Sequence, residues 1–389
     1  MNPPIAPVIP TVSTVHAQTR TDDYGWLRDR SNPQVTAYLE AENRYTEAQM
    51  ASTEPLQADL YQEMLDRIKQ TDLSVPERQG DYYYYSRTKE GEQYAIYCRK
   101  QGDLGAAEEV LLDQNAMAAG LAYFRIGTVT VSPDQRLLAY TVDADGSEVY
   151  TVRIKDLTTG NLLKDEISNA LGYSLAWSND NRTVFYVTQD AAQRPYRVWR
   201  HVLGNDIKND ELVYEESDEL FFVGVAKTRS RAYLLIESES KTTSEYRYLL
   251  ADTPLGEFQV FEPRTAGVKY EIDHRGNQFY ILTDENAKNS KLMTAPVADP
   301  SKHNWQEVVA HRAAVKIDSI DLFKDHLVVY EREHALKTIR VYDLVAGSEH
   351  AIEFPEPVYT YFPGRNPEFD TSTLRFTYTS LVTPLSVYD

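Results

Sequence analysis

The chain has one cysteine, Cys98, among 389 residues, so no intrachain disulfide can form and a disulfide-stapled secreted fold is excluded. Long apolar runs are missing too: "LFFVGVA" at 220–226 is among the longest, far short of the roughly 20 residues a spanning helix needs. The start, "MNPPIAPVIP", has no basic segment, and its prolines break any apolar leader. Positive charge is in the minority, with 40 basic against 59 acidic residues and a net charge of −19, which repels phosphate backbones and anionic membrane surfaces. These absences predict a soluble, cytoplasmic protein with neither nucleic acid nor membrane as a partner. An acidic interior that draws in cationic peptides is one use of the charge; a like-charged surface that keeps molecules apart is the plainer use and is preferred.

Catalytic signatures are also absent. No two of the 17 glycines lie four positions apart, so the G-x-S-x-G elbow that presents a hydrolase serine cannot occur. No two of the eight histidines are spaced i, i+4, which excludes an H-E-x-x-H zinc helix, and no glycine-rich phosphate loop is present. The sequence therefore assigns no catalytic, cofactor-binding or metal-binding residue, and no cofactor. Cys98 lies in "YAIYCRK", where alternation groups it with Tyr94 and Ile96, and a packed thiol is preferred to a nucleophile. His201 in "WRHVLG" and His274 in "DHRG" read as turn or strand-end residues rather than ligands. Asp145, Glu148, Arg197 and Arg200 stand at strand ends, as solvated caps in the plain reading and as a gate or docking contact in the functional one. Tyr82 to Tyr85 read as strand packing rather than an aromatic ligand platform.

Two zones are visible in what remains. Residues 1–71 read as an arm with two amphipathic helices. Asn32-Pro33 is a cap and first-turn pair followed by Val35, Tyr38, Leu39, Tyr45 and Ala48 at helical spacing, and a second start at Thr53 leads into the stripe Leu56, Leu60, Met64 and Ile68. From residue 72 the pattern becomes short β runs. Seven of them begin alike, at Tyr82, Leu137, Val184, Tyr233, Phe279, Leu327 and Leu374, with spacings of 55, 47, 49, 46, 48 and 47 residues. A period of roughly 40 to 50 residues carrying four strands is that of a β-propeller blade. The unit from "FRIGTVTV" through "LLAYTVD" and "VYTVRIKD" to "NLLKDEI" shows all four strands, with Asp145-Gly146 and Gly160 in its turns. In this register the aspartate of "VYD" closes a third strand, as Asp156 does in "RIKD": Asp156 and Asp343 each lead into a turn and a fourth strand, whereas Asp389 is the last residue. The expectation is an all-β, seven-bladed β-propeller over 72–389, its last blade cut short before the outer strand, preceded by the α-helical arm.

Six separated stretches then resemble the amino-terminal part of oligopeptidase B, of the prolyl oligopeptidase family of serine peptidases. They are "DDYGWLRDRSNPQVTAYLEAENRY" from Asp22, "YYYYSRTKEGEQYAIYCRK" from Tyr82, "RPYRVWRHVLG" from Arg194, "TTSE" from Thr242, "DHRGNQFYIL" from Asp273 and "YTSLVTP" from Tyr378. The resemblance implies a propeller that acts as lid and size filter for an α/β-hydrolase domain bearing a Ser-Asp-His triad, with cleavage of short peptides after Arg or Lys. The elbow and the hydrolase pattern are absent, so this chain alone is expected to be inactive. Its expected partners are the catalytic domain, in cis or in trans, and short basic peptides. A stand-alone propeller that binds peptide or protein is the alternative.

Overall fold

The computed structural model describes residues 2–389, which divide into two compact units, the residues up to 70 and those from 71 to 389. The first opens with a hairpin, Thr11–Val15 against Gln18–Asp22, turned through His16 and Ala17 in the left-handed region. Helix α1 is Pro33–Met50, and Asn32 caps it by accepting the Gln34 N–H at 3.0 Å, so the local cap and proline signal suffices to start it. Helix α2 is Glu54–Asp66. Thr53 precedes it without capping it: its hydroxyl donates to the Met50 carbonyl, within the 3-10 turn that joins the helices. The stripe Leu56, Leu60, Met64 and Ile68 is exposed, between 46% and 61%.

The second unit is built of antiparallel meanders. Its first sheet comprises Glu77–Gln79, Tyr82–Arg87, Ile96–Gln101 and Glu108–Asp113. The third, fourth and fifth sheets likewise have four strands each, opening at Phe222–Lys227, Tyr270–Arg275 and Val315–Leu322, and the sixth has three: Tyr359–Pro363, Phe376–Ser380 and Ser386–Tyr388. The second sheet departs from the expected unit, for it has seven strands. The strand expected to end with "NLLKDEI" runs on from Leu162 to Trp177, pairing Tyr150–Asp156 along its first half and Thr183–Gln189 along its second. No proline or tight turn interrupts it. The change of direction is taken up by register shifts around Ala170 and by Asn169 at φ 60°, which bend the strand without ending it.

Apolar clusters join successive sheets. Leu111 and Leu112 pack on Leu138 and Tyr140; Phe185 and Val198 on Val223 and Leu234; Tyr233 and Leu235 on Ile272 and Phe279; Leu282 and Leu292 on Leu327 and Val329; Val328 and Tyr330 on Tyr361 and Tyr378. Within the second sheet, Val152 and Ile154 of the first half pack on Trp177 and Val184 of the second. The sixth sheet returns to the first through polar contacts. Arg375 donates to the Pro76 carbonyl at 2.8 Å, the Gly80 N–H donates to Glu368 at 2.6 Å, and Arg365 pairs with Glu77 at 3.6 Å. The order is cyclic, and the unit is a β-propeller.

Candidate functional site

The first strands of the meanders converge on one cavity of about 510 Å3. Gln79 of the first sheet, Thr130 and Trp177 of the second, Lys227 of the third, Asp273 of the fourth, Ile320 of the fifth and Asn366, just past the first strand of the sixth, all line it. Strand alternation explains which side chains enter. In Tyr270–Arg275 the residues Tyr270, Ile272 and His274 are buried, which turns Glu271 and Asp273 the other way. In Phe222–Lys227, Val223 and Val225 point into the core. Gly224 has no side chain between them, which leaves room for Glu237 of the neighbouring strand; a Cβ added there would lie 3.6 Å from its carboxylate.

Charge in this channel is sorted by level. Glu237 makes no hydrogen bond or ion pair, and burial, then Glu271 and Glu239, push its carboxyl up to about 7. Glu271 is raised by the same burial and by Glu239. Around the carboxyl-terminal ends of the first strands the bases gather. Burial and the neighbouring Arg231 push the Lys227 amine down to about 8, and it donates to the Trp177 carbonyl at 3.0 Å. Arg229 pairs with Asp321, and its guanidinium lies 4.9 Å from the Phe323 ring centre. Burial pushes Asp273 up to about 6 against the pull of the His274 N–H and of Arg229. Apolar walls make each of these charges act at longer range than it would in water.

The residues singled out in the sequence lie elsewhere. Cys98 is 1% exposed, its thiol pushed up to about 11 by burial, which is the setting of a packed thiol. His274 donates or accepts with the Ser230 hydroxyl at 2.9 Å and packs on Tyr233 and Phe279. His201 is no simple strand-end residue: its two ring nitrogens meet Asp210 at 2.6 Å and Asp165 at 2.9 Å in a buried cluster. Arg200 is neither a gate nor a solvated cap. It is buried, paired with Glu211, and donates to the Pro254 and Gly256 carbonyls at 2.7 and 2.9 Å, which ties the second sheet to the third. Asp145 and Glu148 sit in an exposed turn, and Arg197 pairs with Glu215 at 3.1 Å. Tyr82 to Tyr85 are half-buried in their strand, with Arg99 stacked 3.9 Å over the Tyr82 ring. The channel charges Lys227, Arg229, Arg231, Glu237, Glu271 and Asp273 were not anticipated; the available signal was acid alternating with buried residues in "YEIDH".

The profile described as "Prolyl oligopeptidase, N-terminal beta-propeller domain" matches residues 3–389. The chain belongs to that family. Among curated relatives of this prolyl oligopeptidase propeller, dipeptidyl aminopeptidase BI of Pseudoxanthomonas mexicana is 40% identical over 406 residues, and protease 2 of Moraxella lacunata is 37% identical over 395. Each match covers 100% of this chain and 56% of the relative, so the chain spans little more than half their length. Oligopeptidase B from Leishmania major superposes with a TM-score of 0.88 at 32% identity, over 99% of this chain and 58% of that one. Oligopeptidase B from Trypanosoma brucei, with covalently bound antipain in a closed form, gives 0.89 at 29% identity over 100% and 58%. Among the described residues no helix is long and apolar enough to cross a membrane.

Proposed function

We propose that this chain is the lid and substrate-size filter of an oligopeptidase B-like serine endopeptidase of the cytoplasm. In this reading an α/β-hydrolase domain, joined in cis in a longer protein or bound in trans, cleaves short peptides after Arg or Lys. The observation that carries the reading is the single channel on which all six sheets converge. Its volume of about 510 Å3 is that of a small-ligand pocket, which suits a few residues of extended peptide and excludes a folded domain. The unpartnered carboxylates of Glu237 and Glu271 favour basic peptides as its guests. We read the seven-stranded sheet as two blades sharing Leu162–Trp177, because its halves pack face to face through Val152, Ile154, Trp177 and Val184 as neighbouring sheets do. That reading gives seven blades, the last of them short of its outer strand. The exposed stripe on α2 is then the surface that holds the hydrolase domain.

The test mixes the chain with a separately expressed oligopeptidase B hydrolase domain and follows cleavage of Arg- and Lys-containing peptides of graded length. The chain alone is expected to hydrolyse nothing and to take up no serine-directed fluorophosphonate, and the mixture to cut short peptides while sparing long ones. Labelling of a serine in the pure chain would overturn the assignment. Peptide binding by the chain without any effect on the hydrolase domain would favour the stand-alone module, which the missing nucleophile elbow also fits.

A further inference from the structure

The loop between the first two strands of the sixth sheet, "GRNPEFDTSTLR" at 364–375, is far longer than its counterparts, which are 228–232 in the third sheet and 276–277 in the fourth. Its base is fixed locally. Asn366 is buried, its amide donating to the Gly364 and Arg375 carbonyls, each at 3.0 Å, while its side-chain oxygen accepts the Arg375 N–H at 2.8 Å. The tip is held by other sheets. Arg229 of the third sheet donates to the Asn366 carbonyl and pairs with Asp321 of the fifth. Arg231 reaches toward the Pro367 carbonyl at 3.5 Å and Glu368 at 3.7 Å. Glu368 also accepts the Gly80 N–H of the first sheet at 2.6 Å. Lys324 of the fifth binds the Phe369 carbonyl through its N–H at 2.9 Å and Asp370 through its amine at 2.7 Å.

The third and sixth sheets are not neighbours in the ring, since apolar clusters place the fourth and fifth between them. A bond from Arg229 to Asn366 must therefore cross the interior, and all of Lys227, Arg229, Arg231, Asn366 and Pro367 line the channel. We propose that residues 366–370 are a strap latched across one mouth of the channel by Arg229 and Arg231. The mouth is shut to a polypeptide while the two arginines hold the strap's inner edge, and it opens when they let go and the strap turns on its remaining anchors, Lys324 at Phe369 and Asp370 and the Gly80 N–H at Glu368. The latch suits release: it consists of polar bonds from side chains that keep contact with water, 20% exposed for Arg229 and 39% for Arg231. The strap is read from this geometry alone; only its use in sorting peptides rests on the filter proposed above.

Limited trypsin digestion and hydrogen–deuterium exchange of the whole chain test it, comparing wild type with Arg229→Gln, Arg231→Gln. The double variant is expected to be cut after Arg365 faster by about tenfold or more, while the amides of the strands Tyr233–Glu239 and His326–Glu333 stay protected. Should the double variant not fold, Arg231→Gln alone, which gives up only the two longer contacts, makes the same comparison with a smaller increase. An unchanged rate of cutting after Arg365 overturns the proposal. So does exchange that rises in the strands along with the cutting, because the arginines would then be ordinary packing residues. The filter reading fails by a different result, the absence of any dependence on peptide length.

Discussion

Replacing His201 with glutamine is expected to cost about 3 kcal/mol of folding stability in mild acid and much less in mild base. His201 is fully buried between two nearly buried carboxylates, with Nδ1 2.6 Å from Asp210 and Nε2 2.9 Å from Asp165. Each carboxylate has another donor, the Tyr186 hydroxyl at 2.8 Å on Asp210 and the Gly204 N–H at 2.6 Å on Asp165. A ring that faces acceptors on both nitrogens must donate from both, which only imidazolium does. Burial works against the charge, but the hydrogen bonds the ring donates to Asp210 and Asp165 outweigh it and hold the imidazole above its ordinary 6.5. Two charge-assisted bonds contribute about 1.5–3 kcal/mol each, and a buried charge stripped of its partner costs about 3–5. Glutamine can donate to one carboxylate and strands the other. Because the folded value is the higher one, the histidine's contribution is complete below 6.5 and is lost as pH rises through the folded value. Urea unfolding followed by tryptophan fluorescence at about pH 5.5 and about pH 9 reads the difference. An equal penalty at both would show that the cluster is held by shape and not by the proton.

Three further outcomes are expected. Cys98, 1% exposed with its thiol pushed up to about 11, should resist Ellman's reagent in the native chain and react fully once unfolded; stoichiometric native labelling would contradict the packing described. Gly127→Ala should cost about 1–3 kcal/mol, read as a lower urea midpoint, because the new Cβ runs into the Gly172 backbone carbonyl and into the Thr141 hydroxyl that bonds it at 2.9 Å; an unmoved midpoint would count against the close approach. Leu60→Asp with Met64→Asp, at positions 46% and 59% exposed, should cost about 1 kcal/mol of helix propensity and i, i+4 repulsion yet abolish binding of a hydrolase domain, and equal binding by wild type and variant would give the arm another role.

The repeat was legible because of where its marker strand sits. All seven apolar runs fall on or at the start of a strand flanked on both sides, and where the sheet has an apolar joint on either side, as at Tyr233–Glu239, that strand is packed on both faces. Leu234 and Ile236 go to one neighbouring sheet, Tyr233 and Leu235 to the other. Residues that must be apolar in both directions make a continuous run, and its period survives any change in the turns. The continuity of the second sheet was not legible, since the strand through Ile167 and Ala170 bends by register shifts, with a lone Gly172 and no proline or tight turn to mark the joint. The channel was hidden for the opposite reason. Its polar side chains come from several sheets far apart in the chain, and Lys227, Glu271 and Asn366 are brought together only by closing the ring. Arg200 misled because its carbonyl partners, at Pro254 and Gly256, lie more than fifty residues along the chain.

Ring closure and channel control meet at one residue. Every joint between successive sheets from the first to the sixth is apolar, whereas the joint from the sixth back to the first depends on Arg375, Glu368 and Arg365. Apolar joints lose stability in proportion to area and tolerate small shifts; a polar joint is made or broken as discrete bonds. Arg375 is itself oriented by Asp389, two bonds of 2.6 Å setting the guanidinium so that its remaining edge meets the Pro76 carbonyl. Glu368 divides its carboxylate between the Gly80 N–H, which closes the ring, and Arg231, which latches the strap. Strap and seam therefore share one carboxylate: a strap that swings away from Arg229 and Arg231 pulls on the Glu368–Gly80 bond, while Arg375 on Pro76 and Arg365 on Glu77, both outside residues 366–370, keep the first and sixth sheets joined.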